Sequence, residues 1–213
     1  MRKAVIERKT SETDISITLN LDGSGQAKLD YPIGFMKHML NTFARHGLFD
    51  IELKASGDLD VDQHHLVEDT GIALGQCFAK ALDDKRGIMR VGSCLYPMDE
   101  TSARAMADVS GRAFLVYDAQ LSGTPLISLP ITETAPPDGV PEPVAFQTDT
   151  VEDFWQGFVS AAALTLHLEI LRGRSDHHKI EALFKAAARA LRQACEIDRR
   201  AAEAIPSTKG TLG

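Results

Sequence analysis

An α+β fold built from an internal duplication is predicted for this 213-residue chain. Three observations predict it. Strand-like and helix-like patterns follow one another in the same order twice, each half carries a His-His-x-x-Glu motif, and an alanine-rich helical stretch follows each motif. The expected unit is β-β-α-β-α, with sheets packed against helices and a pseudo-two-fold axis relating the copies. The chain is expected to be one domain over residues 1–213. The first copy covers about 10–90, the second about 108–200, and a C-terminal tail covers 205–213.

In the first copy, "DISITLNL" alternates apolar and polar residues like a half-buried strand. "DGSG" then reads as a turn and "QAKLDY" as the returning strand of a hairpin. "IGFMKHMLNTFARHG" has helical spacing with a stop at Gly47, "FDIELKA" reads as a strand, and "HHLVEDTGIALGQCFAKAL" as a helix. In the second copy, "RAFLVYDAQL", "SGTP" and "LISLPI" give the expected hairpin. "TVEDFWQGFVSAAA" is helical, "LTLHLEIL" a strand, and "DHHKIEALFKAAARALRQAC" the last helix. Asp62 and Asp176 stand where N-caps would open the two motif helices. The proline-rich stretch 133–147 has no periodicity and reads as an exposed loop insertion.

Composition narrows the function. With 44% apolar and 25% charged residues, the chain is an ordinary globular protein with no run long enough to span a bilayer. The polar N-terminus lacks the apolar core of a signal peptide, so a cytoplasmic location is expected. Cys77, Cys94 and Cys195 are far apart and read as free thiols. A net charge of −7, with no basic stripe, excludes a general nucleic-acid binder, so anionic ligands must be caught by a few placed cations.

The doubled motif points to metal. On a helix, residues three or four apart share a face while neighbours diverge by about 100°. His177 and Glu181 can therefore face one ion while His178 faces elsewhere, and the same holds for His64, Glu68 and His65. Two such helices related by a two-fold could build sites that each borrow from both copies. Imidazole and carboxylate without thiolate suit manganese, iron, cobalt, nickel or zinc. His38 and His167 are placed to join, which gives four protein ligands to each of two ions. A six-coordinate ion would keep two positions open for chemistry.

At these residues the sequence resembles the imidazoleglycerol-phosphate dehydratase family. The blocks "ERKTSETDISITLNLDGSG", "GFMKHMLNTFARHGLFD", "GDLDVDQHHLVEDTGIALGQ", "PMDET", "DVSGRAFL", "TLHLEILRGRSDHHKIEALFKAAARAL" and "PSTKGTL" carry the resemblance, in the family's order. Two departures are Lys37 before "HML" and the longer proline-rich insertion. The resemblance implies a hydro-lyase of histidine biosynthesis with two divalent ions per active site, manganese above the others. It also implies a cage of 24 subunits built from trimers, with sites completed across subunits. The implied metal ligands are His38, His64, His65, Glu68, His167, His177, His178 and Glu181. Implied substrate contacts are Glu12, His38, His46, His64, Glu68, Arg90, Arg112, Lys185, Ser207, Thr208 and Lys209. Glu12, His46, Glu68 and Glu181 are the groups for proton transfer.

The implied reaction dehydrates D-erythro-imidazole-glycerol phosphate to imidazole-acetol phosphate. The departing proton is not acidic, because no carbonyl neighbours it. An imidazolate form of the ring can instead expel the adjacent hydroxyl, leaving a diazafulvene that loses the neighbouring proton and becomes the ketone. Two other readings remain beside it: a non-catalytic metal-binding oligomer, and a dinuclear metallohydrolase. The second is less natural with two carboxylates among eight ligands.

Overall fold

The computed structural model describes residues 2–128 and 144–212. Each copy contributes a four-stranded sheet and two helices. In the first, β1 (Lys3–Lys9), β2 (Thr13–Asn20), β3 (Ala27–Asp30) and β4 (Asp50–Gly57) lie in the order β1-β2-β4-β3, with α1 (Gly34–Gly47) and α2 (His64–Leu82). In the second, β5 (Val91–Met98), β6 (Thr101–Asp108), β7 (Phe114–Asp118) and β10 (Thr165–Arg172) lie in the order β5-β6-β10-β7, with α3 (Thr150–Ala162) and α4 (Asp176–Cys195). Between them, β8 (Leu126–Ser128) and β9 (Val144–Phe146) form a small separate ribbon.

The α+β class and the duplication stand, but each copy carries one strand more than the sequence pattern suggested. The expected hairpin of "DISITLNL" with "QAKLDY" does not form. β2 pairs antiparallel with β1 on one side and β4 on the other, and β3 pairs parallel with β4 after the α1 crossover. The chain can cross the end of β4 because Asp50 gathers the link: its Oδ1 accepts the Ser24 N–H at 2.8 Å and the Gln26 N–H at 3.0 Å. "RAFLVYDAQL" likewise pairs with β10, not with "LISLPI", whose first residues join β9. Of the insertion 133–147, residues 133–143 lie outside the described residues.

The copies can be aligned by register. Lys3 faces Asn20 across β1–β2, and Val91 faces Asp108 across β5–β6. Glu12 therefore corresponds to Glu100, and Thr13 to Thr101. α1 ends on a left-handed Leu48 (φ 55°), and α3 on a left-handed Ala163 (φ 50°). Gly47 is thus the last helical residue and not the stop. Counting ten residues back from each cap pairs His38 with Asp153.

Helices α1 and α2 lie on the first sheet, α3 and α4 on the second, and the helices meet in the middle, α2 on α3 and α1 on α4. Glycines allow the close approach: a Cβ on Gly71 would lie 2.1 Å from the Phe154 carbonyl, and one on Gly75 2.3 Å from that of Phe158. Around this contact Phe43, Phe49, Phe78, Trp155 and Phe158 pack edge to face or tilted, with centroids 5.1–6.3 Å apart. Among the described residues, no helix is long and apolar enough to cross a membrane.

Candidate active site

Both His pairs open their helices at the same end of the molecule. Gln63, the residue before α2, donates from Nε2 to the Ala145 carbonyl of β9 at 2.7 Å. Phe146 of the same strand stacks on Phe35, which meets His177 edge-on at 5.1 Å. The helix caps differ from expectation. Asp62 lies one residue before the cap and accepts the His64 N–H at 2.8 Å, while Ser175 caps α4 by accepting from the His178 N–H. Asp176 lies in the first turn and holds Ser122 instead, because the serine hydroxyl already occupies the capping position.

As the spacing predicts, neighbours in each pair diverge and residues four apart converge. The His177 and His178 rings stand at 84° to one another, and His177 Nε2 lies 3.1 Å from Glu181 Oε2. From α1, His38 Nε2 reaches the same oxygen at 3.4 Å. His38, His177 and Glu181 thus offer donor atoms within 4.8 Å of one another, the chemistry a divalent transition ion takes.

Deeper along the α1–α4 contact the same face continues. Lys185 Nζ pairs with Glu181 Oε1 at 2.8 Å and lies 5.5 Å from the Tyr96 ring centroid. Tyr96 also meets His46 edge-on at 5.5 Å. Burial pushes the Glu181 carboxyl up, but the Lys185 hydrogen bond and charge, with His38, outweigh it and hold the group below its ordinary value. Burial, and then the charges of Lys185 and Arg189, press His46 below its ordinary value, which favours the neutral ring. The expected residues His38, His46, His177, Glu181 and Lys185 therefore share one face. Tyr96 joins them without having been foreseen, since a lone aromatic in a strand has no distinctive spacing.

The remaining expected ligands sit apart within one chain. His64 Nε2 lies 3.8 Å from Glu68 Oε2, and its Nδ1 lies 3.2 Å from Asp153 Oδ2. This group is the first copy's counterpart of His177, Glu181 and His38. His65 faces Asp58 at 3.0 Å and Glu12 at 3.9 Å, and His178 faces Glu100 at 2.8 Å. His167 lies on β10 between the buried Leu166 and Leu168, so it points to the outer face of its sheet, away from α4. Asp58, Glu100 and Asp153 escaped the sequence reading because they fall outside the HHxxE spacing. The shared "ET" of "SETD" and "MDET" was the one available signal for Glu100.

The expected phosphate contacts cluster at the far ends of the helices. Arg90 donates from Nε and Nη2 to Asp108 at 2.7 and 3.1 Å, and from Nη1 to the Pro206 carbonyl at 3.0 Å. The tail is laid along residues 85–90: Gly87 N–H donates to Ala204, Arg86 to Glu203, and Lys85 Nζ to Leu212. Ser207 folds the following turn by accepting the Lys209 N–H, with Thr208 and Lys209 exposed beside it. Arg112 is exposed at the start of β7, its carbonyl accepting from Thr165.

A model of the imidazoleglycerol-phosphate dehydratase family matches residues 32–191. An imidazoleglycerol-phosphate dehydratase of Methylorubrum populi is 49% identical over 212 residues, covering 100% of both chains. One from Lacticaseibacillus casei is 49% identical with the same coverage. The solved structure of the Staphylococcus aureus imidazoleglycerol-phosphate dehydratase is 34% identical, with a TM-score of 0.74 over 92% of this chain and 99% of that one. The Pyrococcus furiosus structure is 26% identical, with a TM-score of 0.72 over 97% of this chain and 100% of that one. A likeness that runs the full length in sequence and in fold leaves one assignment: the chain belongs to the imidazoleglycerol-phosphate dehydratase family of hydro-lyases.

Proposed function

We propose that the chain dehydrates D-erythro-imidazole-glycerol phosphate to imidazole-acetol phosphate in the cytoplasm, with two divalent ions, manganese by preference. The observation that carries the reading is the convergence of His38 and His177 Nε2 on Glu181. Those donors, with His64, His65, Glu68, His167 and His178, are the residues that would hold the ions. When bound, the ions act as Lewis acids on the substrate ring and favour its imidazolate form. Loss of the hydroxyl beside the ring and of the neighbouring proton would then give an enol that becomes the ketone.

The chain's own groups divide the remaining work. Glu12, half-exposed in the β1–β2 turn, takes the proton through a carboxylate oxygen, and His46, Glu68 and Glu181 are the other groups within the proton-transfer set. Lys185 keeps the Glu181 carboxylate ionised. Arg90, Arg112, Lys185 and Ser207 to Lys209 hold the phosphate by charge-assisted hydrogen bonds.

This assignment requires more than one subunit, and we propose the 24-subunit cage of trimers. The Arg90 N–H donates to the Ala194 carbonyl, near the end of α4, whereas Glu181 lies in its second turn. About 20 Å of helix axis separates them at 1.5 Å per residue. A three-carbon chain joining a ring to a phosphate does not bridge that distance, so Arg90 of one chain serves the histidines of another, while Lys185 stands beside Glu181 of its own chain.

Metal-stripped enzyme should form no ketone from the imidazole substrate, and added Mn2+ should restore turnover. Full activity in rigorously metal-free protein would overturn the reading. Metal uptake without ketone formation would favour a metal-binding oligomer.

A further inference from the structure

Three of the four histidines that open α2 and α4 present Nδ1 to a carboxylate outside the HHxxE motif. His65 Nδ1 lies 3.0 Å from Asp58 Oδ2, His178 Nδ1 2.8 Å from Glu100 Oε2, and His64 Nδ1 3.2 Å from Asp153 Oδ2. The carboxylates come from three unrelated places: just past β4, the β5–β6 turn, and the first turn of α3. A neutral imidazole carries one ring proton. A carboxylate beside Nδ1 holds the proton there and leaves the lone pair on Nε2.

We propose that Asp58, Glu100 and Asp153 are positioning residues that keep His65, His178 and His64 protonated at Nδ1, with Nε2 as the ligand atom for a divalent cation. The proposal rests on the metal reading above and extends it to residues outside the ligand set.

The duplication supports it. Glu12 corresponds to Glu100, yet Glu12 Oε2 stands 3.9 Å from the His65 ring where Glu100 Oε2 stands 2.8 Å from that of His178. In the first copy Asp58 has taken the place beside the ring; after β10 the same position is Gly173, which offers no carboxylate. Non-equivalent residues therefore meet the same need in the two copies, which bare inheritance of a surface contact does not explain. Glu100 is also anchored: its Oε1 accepts the N–H groups of Arg174 and Ser175 at 3.3 and 3.0 Å, which frees Oε2 for the ring. Glu12, relieved of that duty, is left available to the substrate.

Two measurements on the full chain test this. Solid-state nitrogen NMR of metal-free wild-type protein, at a pH where imidazoles are neutral, should show the Nδ1–H tautomer at His64, His65 and His178. Nε2–H at these rings overturns the proposal, and this readout needs no variant to fold. In Mn2+ titrations, Asp58→Asn, Glu100→Gln and Asp153→Asn should each weaken one class of site by about 10–100-fold, with the melting temperature of the metal-free chain unchanged. Glu12→Gln should bind as wild type. Wild-type affinity in all three amide variants overturns the proposal while leaving the metal reading intact. A wild-type chain that takes up no Mn2+ overturns the metal reading first, and the ligand assignment with it.

Discussion

Thr13 and Thr101 occupy the same position in the two copies, but the Thr13 hydroxyl donates to Asp69 Oδ2 at 2.5 Å while the Thr101 hydroxyl is buried without a partner. The cause is one substitution between the copies: Asp69 in α2 corresponds to Ala182 in α4. Asp69 is itself buried and also receives Arg8 Nη2 at 2.7 Å. Thr101→Val should thus be neutral or stabilising, since it removes an unpaired hydroxyl. Thr13→Val should cost about 1–3 kcal/mol by leaving a buried carboxylate oxygen unsatisfied. Paired denaturant melts of the two variants check the sign.

The α2–α3 contact predicts a steeper loss. Gly71→Ala would place its Cβ 2.1 Å from a backbone carbonyl, which cannot swing aside as a side chain could. Overpacking of about 1–3 kcal/mol or more is expected, a fall in melting temperature of several degrees at this chain length. Calorimetry reads it directly.

Asp50 gives stability a defined pH dependence. The Gln26 N–H, followed by the Ser24 N–H, the Asn20 amide and the Gly25 N–H, holds its carboxyl below the ordinary 3.8, outweighing burial, which pushes it up. A depressed folded pKa stabilises the native state above the unfolded value and is lost as pH falls through the folded one. Wild type should therefore melt above Asp50→Asn at neutral pH, and the gap should close as the solution is acidified below about pH 4.

Turnover and metal content should separate at Glu12. Glu12→Gln is expected to lower kcat by about 10²–10⁴-fold, the usual worth of general acid–base help, with the ion count per chain unchanged. Wild-type kcat would remove Glu12 from the proton-transfer set.

On the phosphate role proposed for the tail, removing residues 205–213 should raise KM more than it lowers kcat, because what is lost is the Arg90–Pro206 contact and the Ser207 turn and none of the proposed proton-transfer groups. Steady-state kinetics of the truncated chain against wild type decide it.

Much of this was legible in the residues. Both motif helices are strongly patterned, and α4 runs over the predicted residues, Asp176–Cys195. β6 escaped notice because its inward face is Ala103, Ala105 and Ala107, small enough for α4 to lie against the sheet but too weakly apolar to mark a strand. β1 was hidden by its charge, as "KAVIERK" is an edge strand with few inward residues. The missed β1 explains one false hairpin, since "QAKLDY" was assigned to β2, whose open side β1 occupies. In the second copy β5 and β6 were both unread, and "RAFLVYDAQL" was given "LISLPI", whose first residues join β9 instead. In the site, the divergence of each His pair followed from helix geometry. The surrounding carboxylates did not, because they are brought in by turns and by a neighbouring helix.

The crossing of helices between the copies carries one further implication. Each helix pair at the centre takes one member from each half, α2 with α3 and α1 with α4. A half-length progenitor of this chain would have had an apolar helical surface with nothing to cover it except a twin. Within one chain each half covers the other's helical face, and the two halves are free to differ where they meet, as Asp69 against Ala182 and Asp58 against Gly173 show.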